Sequence, residues 1–444
     1  MNHTSGTQWV MGKEKPCIQS SMVVLAQLMS SSVFYGWWIV LASFSISALV
    51  GACGFFGFTA MLDPIVKEFH WSYTQVSFAS SLRGLEMGLL APFVGVFVDR
   101  FGPRRLLLVG LSTIGMGFIL LSLMQNLWMF YAAFILLAFG AGGCATVVTL
   151  AVVARWFHRN LGKAMGITLS GFGASGLLVP AIVWLIDGFG WRSAMMIQGI
   201  GIWILGIPLG LLIRNRPEEI GQLPDGLSLP SNPSITTVSI LQPESPAAHS
   251  SFRNAVRSRP FIYLNIVEAL RFMVLTAVVI HVMPYLGAAG IPRETAGFVA
   301  AAIPLFSIPG RFGFGWMGDV TDKRYVMAIS FFCMSSGLLA FCFAAAMWPL
   351  LIFLLLFSPG FGGIMVMRGT IIREYFGVHS FGKLAGITMG SASIGGVIGP
   401  TLAGWVFDFY GSYNHLWMIF AIILFLMLFI SLRIRREDIL PDKA

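Results

Sequence analysis

Residues 304–324 read PLFSIPGRFGFGWMGDVTDKR, and they set one cation, Arg311, inside an apolar, glycine-rich run that a tight polar loop, Asp319 to Arg324, closes. As a helix, that run would hold Arg311 about 10 Å from its polar end, at 1.5 Å of rise per residue. Within lipid an arginine at such depth costs about 3 kcal/mol unless it faces protein, water or an anion. The chemistry open to a guanidinium kept there is capture of a negatively charged group, a carboxylate above all.

Other charges lie in apolar runs as well. Glu268 and Arg271 stand three apart, so a helix puts them on one face, and Arg83 and Glu86 repeat that spacing. Two readings stand for each pair: mutual neutralisation inside the protein, or a carboxylate that takes up and releases a proton as an anion arrives. Arg368 has no acid within a turn on its own segment. It is either a second anion-binding cation or a partner of Glu268 from another helix. His281, ahead of Pro284, is placed at the end of its segment, where it would relay protons or serve as a hydrogen-bonded packing residue. Thr146 and Thr149 offer hydroxyl donors to a solute, or simply pack. No nucleophile elbow, phosphate-binding loop or metal-binding spacing occurs, so an enzyme, a cofactor and a metal are not expected.

These residues need elements that cross a bilayer. The chain has 444 residues, 57% hydrophobic and only 11% charged, with a mean hydropathy of +0.81. Soluble domains carry about 25% charged residues, so this one is built for lipid. Its 50 glycines and 38 phenylalanines suit close helix packing there. The net charge of +9 is scattered over many loops rather than gathered in a stripe, which argues against nucleic acid. The five cysteines, Cys17, Cys53, Cys144, Cys333 and Cys342, show no metal or disulfide pattern.

Spanning-length apolar segments fall at roughly 36–61, 74–98, 106–124, 129–154, 163–187 and 193–213, then 259–285, 294–318, 325–346, 349–375, 383–407 and 416–433. That is an all-α membrane protein of twelve transmembrane helices. Of the 28 lysines and arginines, Lys67, Arg192 and Arg293 lie in loops on one side, and Arg83, Arg271, Arg311 and Arg368 lie within helices. The other 21 fall in the tails and the opposite loops. The positive-inside rule then puts both termini in the cytoplasm. The chain divides into a cytoplasmic tail (1–34), a six-helix bundle (35–213), a proline- and serine-rich cytoplasmic linker (214–258), a second bundle (259–433) and a short tail (434–444).

The halves repeat at a fixed offset of 220. Gly95 and Asp99 match Gly315 and Asp319; Gly140, Gly142 and Gly143 match Gly360, Gly362 and Gly363; Gly166-Ile167-Thr168 matches Gly386-Ile387-Thr388. Two such bundles, related by a pseudo-two-fold axis along the membrane normal, form the architecture of a rocking carrier.

The loop Gly95-Val-Phe-Val-Asp99-Arg100-Phe-Gly102-Pro-Arg104-Arg105 resembles the signature loop of the major facilitator superfamily. The resemblance implies that Asp99, Arg100 and Arg104, with Gly95 and Gly102, latch the bundles in the outward-facing state. The second copy keeps Gly315, Asp319 and Arg324 but has Val320 and Asp322 in place of Arg100 and Gly102. Several stretches together resemble the monocarboxylate transporter and oxalate–formate antiporter branch: Tyr35-Gly36-Trp37-Trp38, His281-Val-Met-Pro284-Tyr285-Leu286, Gly310-Arg311, Gly399-Pro400 and Asp408-Phe-Tyr-Gly411-Ser412-Tyr413. In that branch the helix-eight arginine binds substrate carboxylate, and Arg311 is the match.

The chain departs from the branch in three places. Ser307 stands where animal carriers have an acid one turn before the arginine, and Ala60-Met61-Leu62 where they place a lysine. No cation occurs between Gly390 and Gly399, where the oxalate carrier has a lysine. The resemblance implies a secondary carrier in the cell membrane that works as a monomer. It would move small organic anions, most simply monocarboxylates, by proton symport or anion exchange. Arg311, Arg271, Arg368, His281 and Thr149 are the candidates for binding the anion, and Glu268, Glu86 and Arg83 for moving the proton. The rival reading is an exporter of drugs or other amphipathic compounds. Arginines outnumber acids within the helices four to two, which weighs against the cationic substrates of such pumps.

Overall fold

The computed structural model describes residues 34–144, 146–157, 160–226, 252, 254–344, 346–376 and 381–434. The side chains of 83–93, 95, 96, 99, 146, 147, 161, 162, 381 and 382 lie outside that description. The expectations for Arg83, Glu86, Gly95, Asp99 and Thr146 fall on these, while most of the linker and nearly all of both tails lie outside the described residues.

The helices are α1 (Tyr35–Phe69), α2 (Tyr73–Phe101), α3 (Pro103–Ser122), α4 (Leu127–Trp156), α5 (161–189) and α6 (191–212). The second set is α7 (Arg259–Ala288), α8 (Arg293–Val320), α9 (Lys323–Phe341), α10 (Met347–Phe376), α11 (Phe381–Tyr410) and α12 (Asn414–Leu432). The chain turns between α5 and α6 at Gly190, whose φ of 79° favours glycine. No strand occurs among the described residues. In hydrocarbon every backbone donor must be met within the segment, and helices meet that demand.

Several helices overrun the apolar runs. α1 continues through Asp63, Pro64, Lys67 and Glu68, and α7 continues to Ala288. Apolarity marks the part of a helix in lipid, whereas the hydrogen-bond ladder carries on into the polar zone. For the same reason Asp319 lies in α8, and the expected loop shrinks to Thr321 and Asp322.

The repeat seen in the sequence recurs in the packing. A Cβ on Gly140 of α4 would meet the Gly110 carbonyl of α3 at 2.8 Å, and one on Gly360 of α10 would meet the Ser330 carbonyl of α9 at 2.7 Å. Gly117 likewise faces Leu137, and Gly337 faces Phe357. Each contact lies 220 positions from its counterpart. Small residues let backbones approach where lipid offers no hydrophobic drive between helices.

Candidate functional site

Arg311 stands roughly 14 Å along α8 from Val320 by helical rise, and it is 7% exposed. Glycine on α10 makes room for it. A Cβ on Gly362 would lie 2.1 Å from the Ser307 carbonyl and 3.2 Å from Arg311 Cγ. The guanidinium Nη1 donates to the Leu169 carbonyl of α5 at 2.6 Å, and Nη2 donates to Ser307 Oγ at 3.2 Å. Nε has no hydrogen-bond partner. Both partners are neutral, and among the described residues no carboxylate comes within ion-pairing distance.

Glu268 and Arg271 meet on α7 at 2.6 Å, both buried. Arg368 of α10 approaches the same Glu268 oxygen at 3.6 Å. One carboxylate thus stands between two guanidiniums, and Glu268 Oε1 and Arg271 Nε and Nη1 lack hydrogen-bond partners. Thr149 is buried on α4.

His281 lies inside α7 rather than at its end, fully buried. Its Nε2 is 3.0 Å from both the Pro400 carbonyl and Ser77 Oγ, and its Nδ1 is 3.0 Å from the Tyr413 hydroxyl. A carbonyl only accepts, so Nε2 carries the hydrogen. In the neutral ring Nδ1 then accepts from Tyr413. The ring joins α2 to α11 and to Tyr413, just ahead of α12, and shares no described hydrogen bond with the arginines.

Further contacts join the halves near His281, at the end of the molecule remote from the α2–α3 and α8–α9 turns. Asp408, in the last turn of α11, accepts from Tyr73 N at 3.0 Å, Thr74 N at 2.8 Å and Thr74 Oγ1 at 2.5 Å. Ser72 and Gln75 form a capping box at the same helix start. The first orphan N–H groups of α2 are therefore met partly from its own half and partly from the other. Arg293 donates to Asp187 Oδ1 and to the Ala60 carbonyl, each at 2.6 Å, and Ser81 Oγ donates to the Val397 carbonyl at 2.6 Å. A cavity of about 260 Å³, lined in part by Asp63, Lys67 and Arg293, lies at this distal end.

Asp408→Ala is expected to loosen the distal closure by about 1–2 kcal/mol, a 5- to 30-fold shift, since exposed charge-assisted bonds are partly screened. Spin labels at Trp128 and Trp348, both exposed near that end, should gain a longer distance. An unchanged distribution would show that Asp408 does not hold the halves together.

The turn residues take simpler places. Gly102 has φ 79° and ψ 148°, and a Cβ there would meet Asn215 Oδ1 at 2.9 Å. Arg104 Nη2 donates to the Leu211 carbonyl of its own half at 3.2 Å. Arg100 and Asp319 are exposed, and Gly315 faces Val366. Arg324 is bound to Asp322 through its backbone N at 2.9 Å, Nε at 2.8 Å and Nη2 at 2.6 Å. Those bonds hold the Asp322 carboxyl below the usual carboxylate range. Lys323 pairs with Glu374 of α10.

The profile of the Major Facilitator Superfamily matches residues 44–312 and 266–443. The chain belongs to that superfamily. It is a multi-pass membrane transporter, similar to monocarboxylate transporter 13 of Bos taurus, at 25% identity over 86% of this chain and 84% of that one. It is also similar to the uncharacterised transporter YcxA of Bacillus subtilis (strain 168), at 25% identity over 85% and 90%. The fold matches a bacterial homologue of the human lysosomal transporter Spinster, solved in an inward-facing, unoccupied conformation. That match has a TM-score of 0.72 at 14% identity, over 93% of this chain and all of that one.

Proposed function

We propose that the protein is a secondary carrier of small organic anions, of the carboxylate class, working by alternating access. The observation that carries this reading is Arg311, a buried guanidinium that among the described residues bonds only to neutral oxygens, with Nε unused. A buried cation without a counter-charge is costly, and an entering carboxylate supplies the missing charge through paired hydrogen bonds. Arg311 also touches Leu169 of the other half, so an anion that competes for it changes a contact between the halves. Such a contact couples occupancy to rocking. Relatives that are named monocarboxylate transporters support the same class.

Uptake requires a co-transported proton or an exchanged anion; the candidates for the proton are Glu268, once an arriving anion draws a guanidinium from it, and Glu86 with Arg83 of α2. Arg271 and Arg368 assist Arg311, while Thr149 contributes from α4. His281 and Asp408 seal the distal side. In this reading the loops that hold Asp99, Arg100 and Arg104, and Asp319 and Arg324, face the cytoplasm with both termini. They latch the opposite state of a monomer in the cell membrane.

The test is a thermal-shift screen of the purified protein with lactate, pyruvate, oxalate, aromatic acids and cationic dyes. Carboxylates should raise the midpoint in proportion to occupancy. Stabilisation by the dyes alone would reject the anion carrier in favour of an exporter of amphipathic cations.

A further inference from the structure

We infer that Pro64 is a positioning residue of the transport cycle: it frees one carbonyl of α1, and Arg293 of the other half holds that carbonyl while the distal side is shut. This rests on the alternating-access reading above and not on the charge of the solute. A proline has no N–H, so inside a helix it leaves the carbonyl four residues earlier without its ladder partner, and its ring pushes that carbonyl aside. Pro64 lies inside α1, and the carbonyl it releases is that of Ala60, a fully buried residue. A buried carbonyl left unmatched is unfavourable.

The match comes from the second half. Arg293, the first residue of α8, donates Nη2 to the Ala60 carbonyl at 2.6 Å and Nε to Asp187 Oδ1 of α5 at 2.6 Å. One guanidinium thus ties α8 to two helices of the first half, and the carboxylate sets its direction. Beside it, Thr59 Oγ1 of α1 accepts from the backbone N of Met283 on α7 at 3.1 Å. Met283 precedes Pro284, the counterpart of Pro64 at the offset of 220. Both prolines therefore stand where the halves exchange backbone hydrogen bonds. The distal cavity is lined by Pro64, Met283 and Arg293 together, so water reaches the tie whenever it breaks.

The repeat shows how particular this tie is. At the same offset Arg293 corresponds to Tyr73, the first residue of α2, and Asp187 corresponds to Phe407. Those two rings pack edge to face at 4.8 Å. A helix start in one half is gripped by a helix end in the other at both places, by rings at one and by charge at the other. Only a charged donor can serve a carbonyl that a proline has released.

When the halves part at the distal side, Arg293 leaves with α8, and Ala60 keeps a carbonyl that its own helix cannot satisfy. Any other residue at position 64 would return an N–H to it. Proline thereby weights the carrier toward the distal-closed state.

The experiment measures the distance between spin labels at Trp128 and Trp348 in the purified full-length protein. Pro64→Ala should raise the ratio of distal-open to distal-closed molecules at least about fivefold. Pro64→Val, which shares the N–H but not the side chain, should act in the same direction. The helix itself should not suffer, since both residues are better helix formers than proline. Arg293→Ala should also favour opening, and in that background Pro64→Ala should change the ratio no further, because Ala60 then lacks Arg293 in both states. An unchanged ratio in Pro64→Ala would overturn the inference. So would a shift that persists undiminished with Arg293→Ala, which would mean that the proline merely bends α1. Both of those results leave alternating access standing. One and the same distance in every variant, with and without added carboxylates, would reject alternating access and this inference with it.

Discussion

Arg311→Ala is expected to abolish carboxylate binding and to reduce uptake into proteoliposomes to the level of empty vesicles. The guanidinium is held in place by the Leu169 carbonyl and Ser307 Oγ, so its position is set before a solute arrives. Losing one member of a buried, hydrogen-bonded charge pair weakens binding by about 2–5 kcal/mol, or about 30-fold and upward. The fold should survive, since the change removes an uncompensated charge and leaves only the Leu169 carbonyl and Ser307 Oγ to find water. Arg311→Lys should recover little, because an ammonium cannot make the paired bonds of the planar fork. Uptake by Arg311→Ala at the wild-type rate, with equal protein in the vesicles, would reject the assignment.

Glu268→Ala is expected to cost stability more than it alters specificity. The side chain is fully buried, 2.6 Å from Arg271 and 3.6 Å from Arg368. Removing it leaves two guanidiniums facing one another without a counter-charge, and breaking a buried pair in this way costs about 3–5 kcal/mol. Single polar contacts between membrane helices average well below that, about 0.6 kcal/mol. The size of the loss therefore separates a charge effect from an ordinary hydrogen bond. The double variant Glu268→Gln with Arg271→Gln should regain most of the midpoint, because it deletes a charge of each sign. A small loss in the single variant, with no recovery in the double, would mean that the two charges are solvated separately.

The helices, the repeat and the central arginines were readable from the chain because lipid makes charge conspicuous. A lone guanidinium in an apolar run stands out, and so does an acid three residues from an arginine. The approach of Arg368 to Glu268 could be entertained but not decided, since pairing across helices depends on how α7 and α10 face each other. His281 illustrates the limit. The apolar run ends close behind it in the sequence, but the helix continues past Pro284 to Ala288, so a residue expected at the end of its segment is buried against neighbouring helices.

The distal contacts were not recognised, though a signal was present. Glu68, Asp187 and Asp408 each sit near the C-terminal end of their own helix, where the helix dipole disfavours an acid. Each serves a different helix instead. Glu68 accepts from Trp191 and Arg192, Asp187 from Arg293, and Asp408 from the start of α2. An acid at the wrong pole of its helix is thus a sequence-level hint of a partner elsewhere.

The glycine crossings between α3 and α4 and between α9 and α10 have their own consequence. With backbone carbonyls lying against Gly140 and Gly360, neither pair of helices has slack in which to slide. Each half then keeps its internal distances through every turnover, like a plate on a hinge. A bulky residue at either glycine would harm all conformers to a similar degree. It would lower how much protein reaches the bilayer and leave the turnover of each surviving molecule nearly intact.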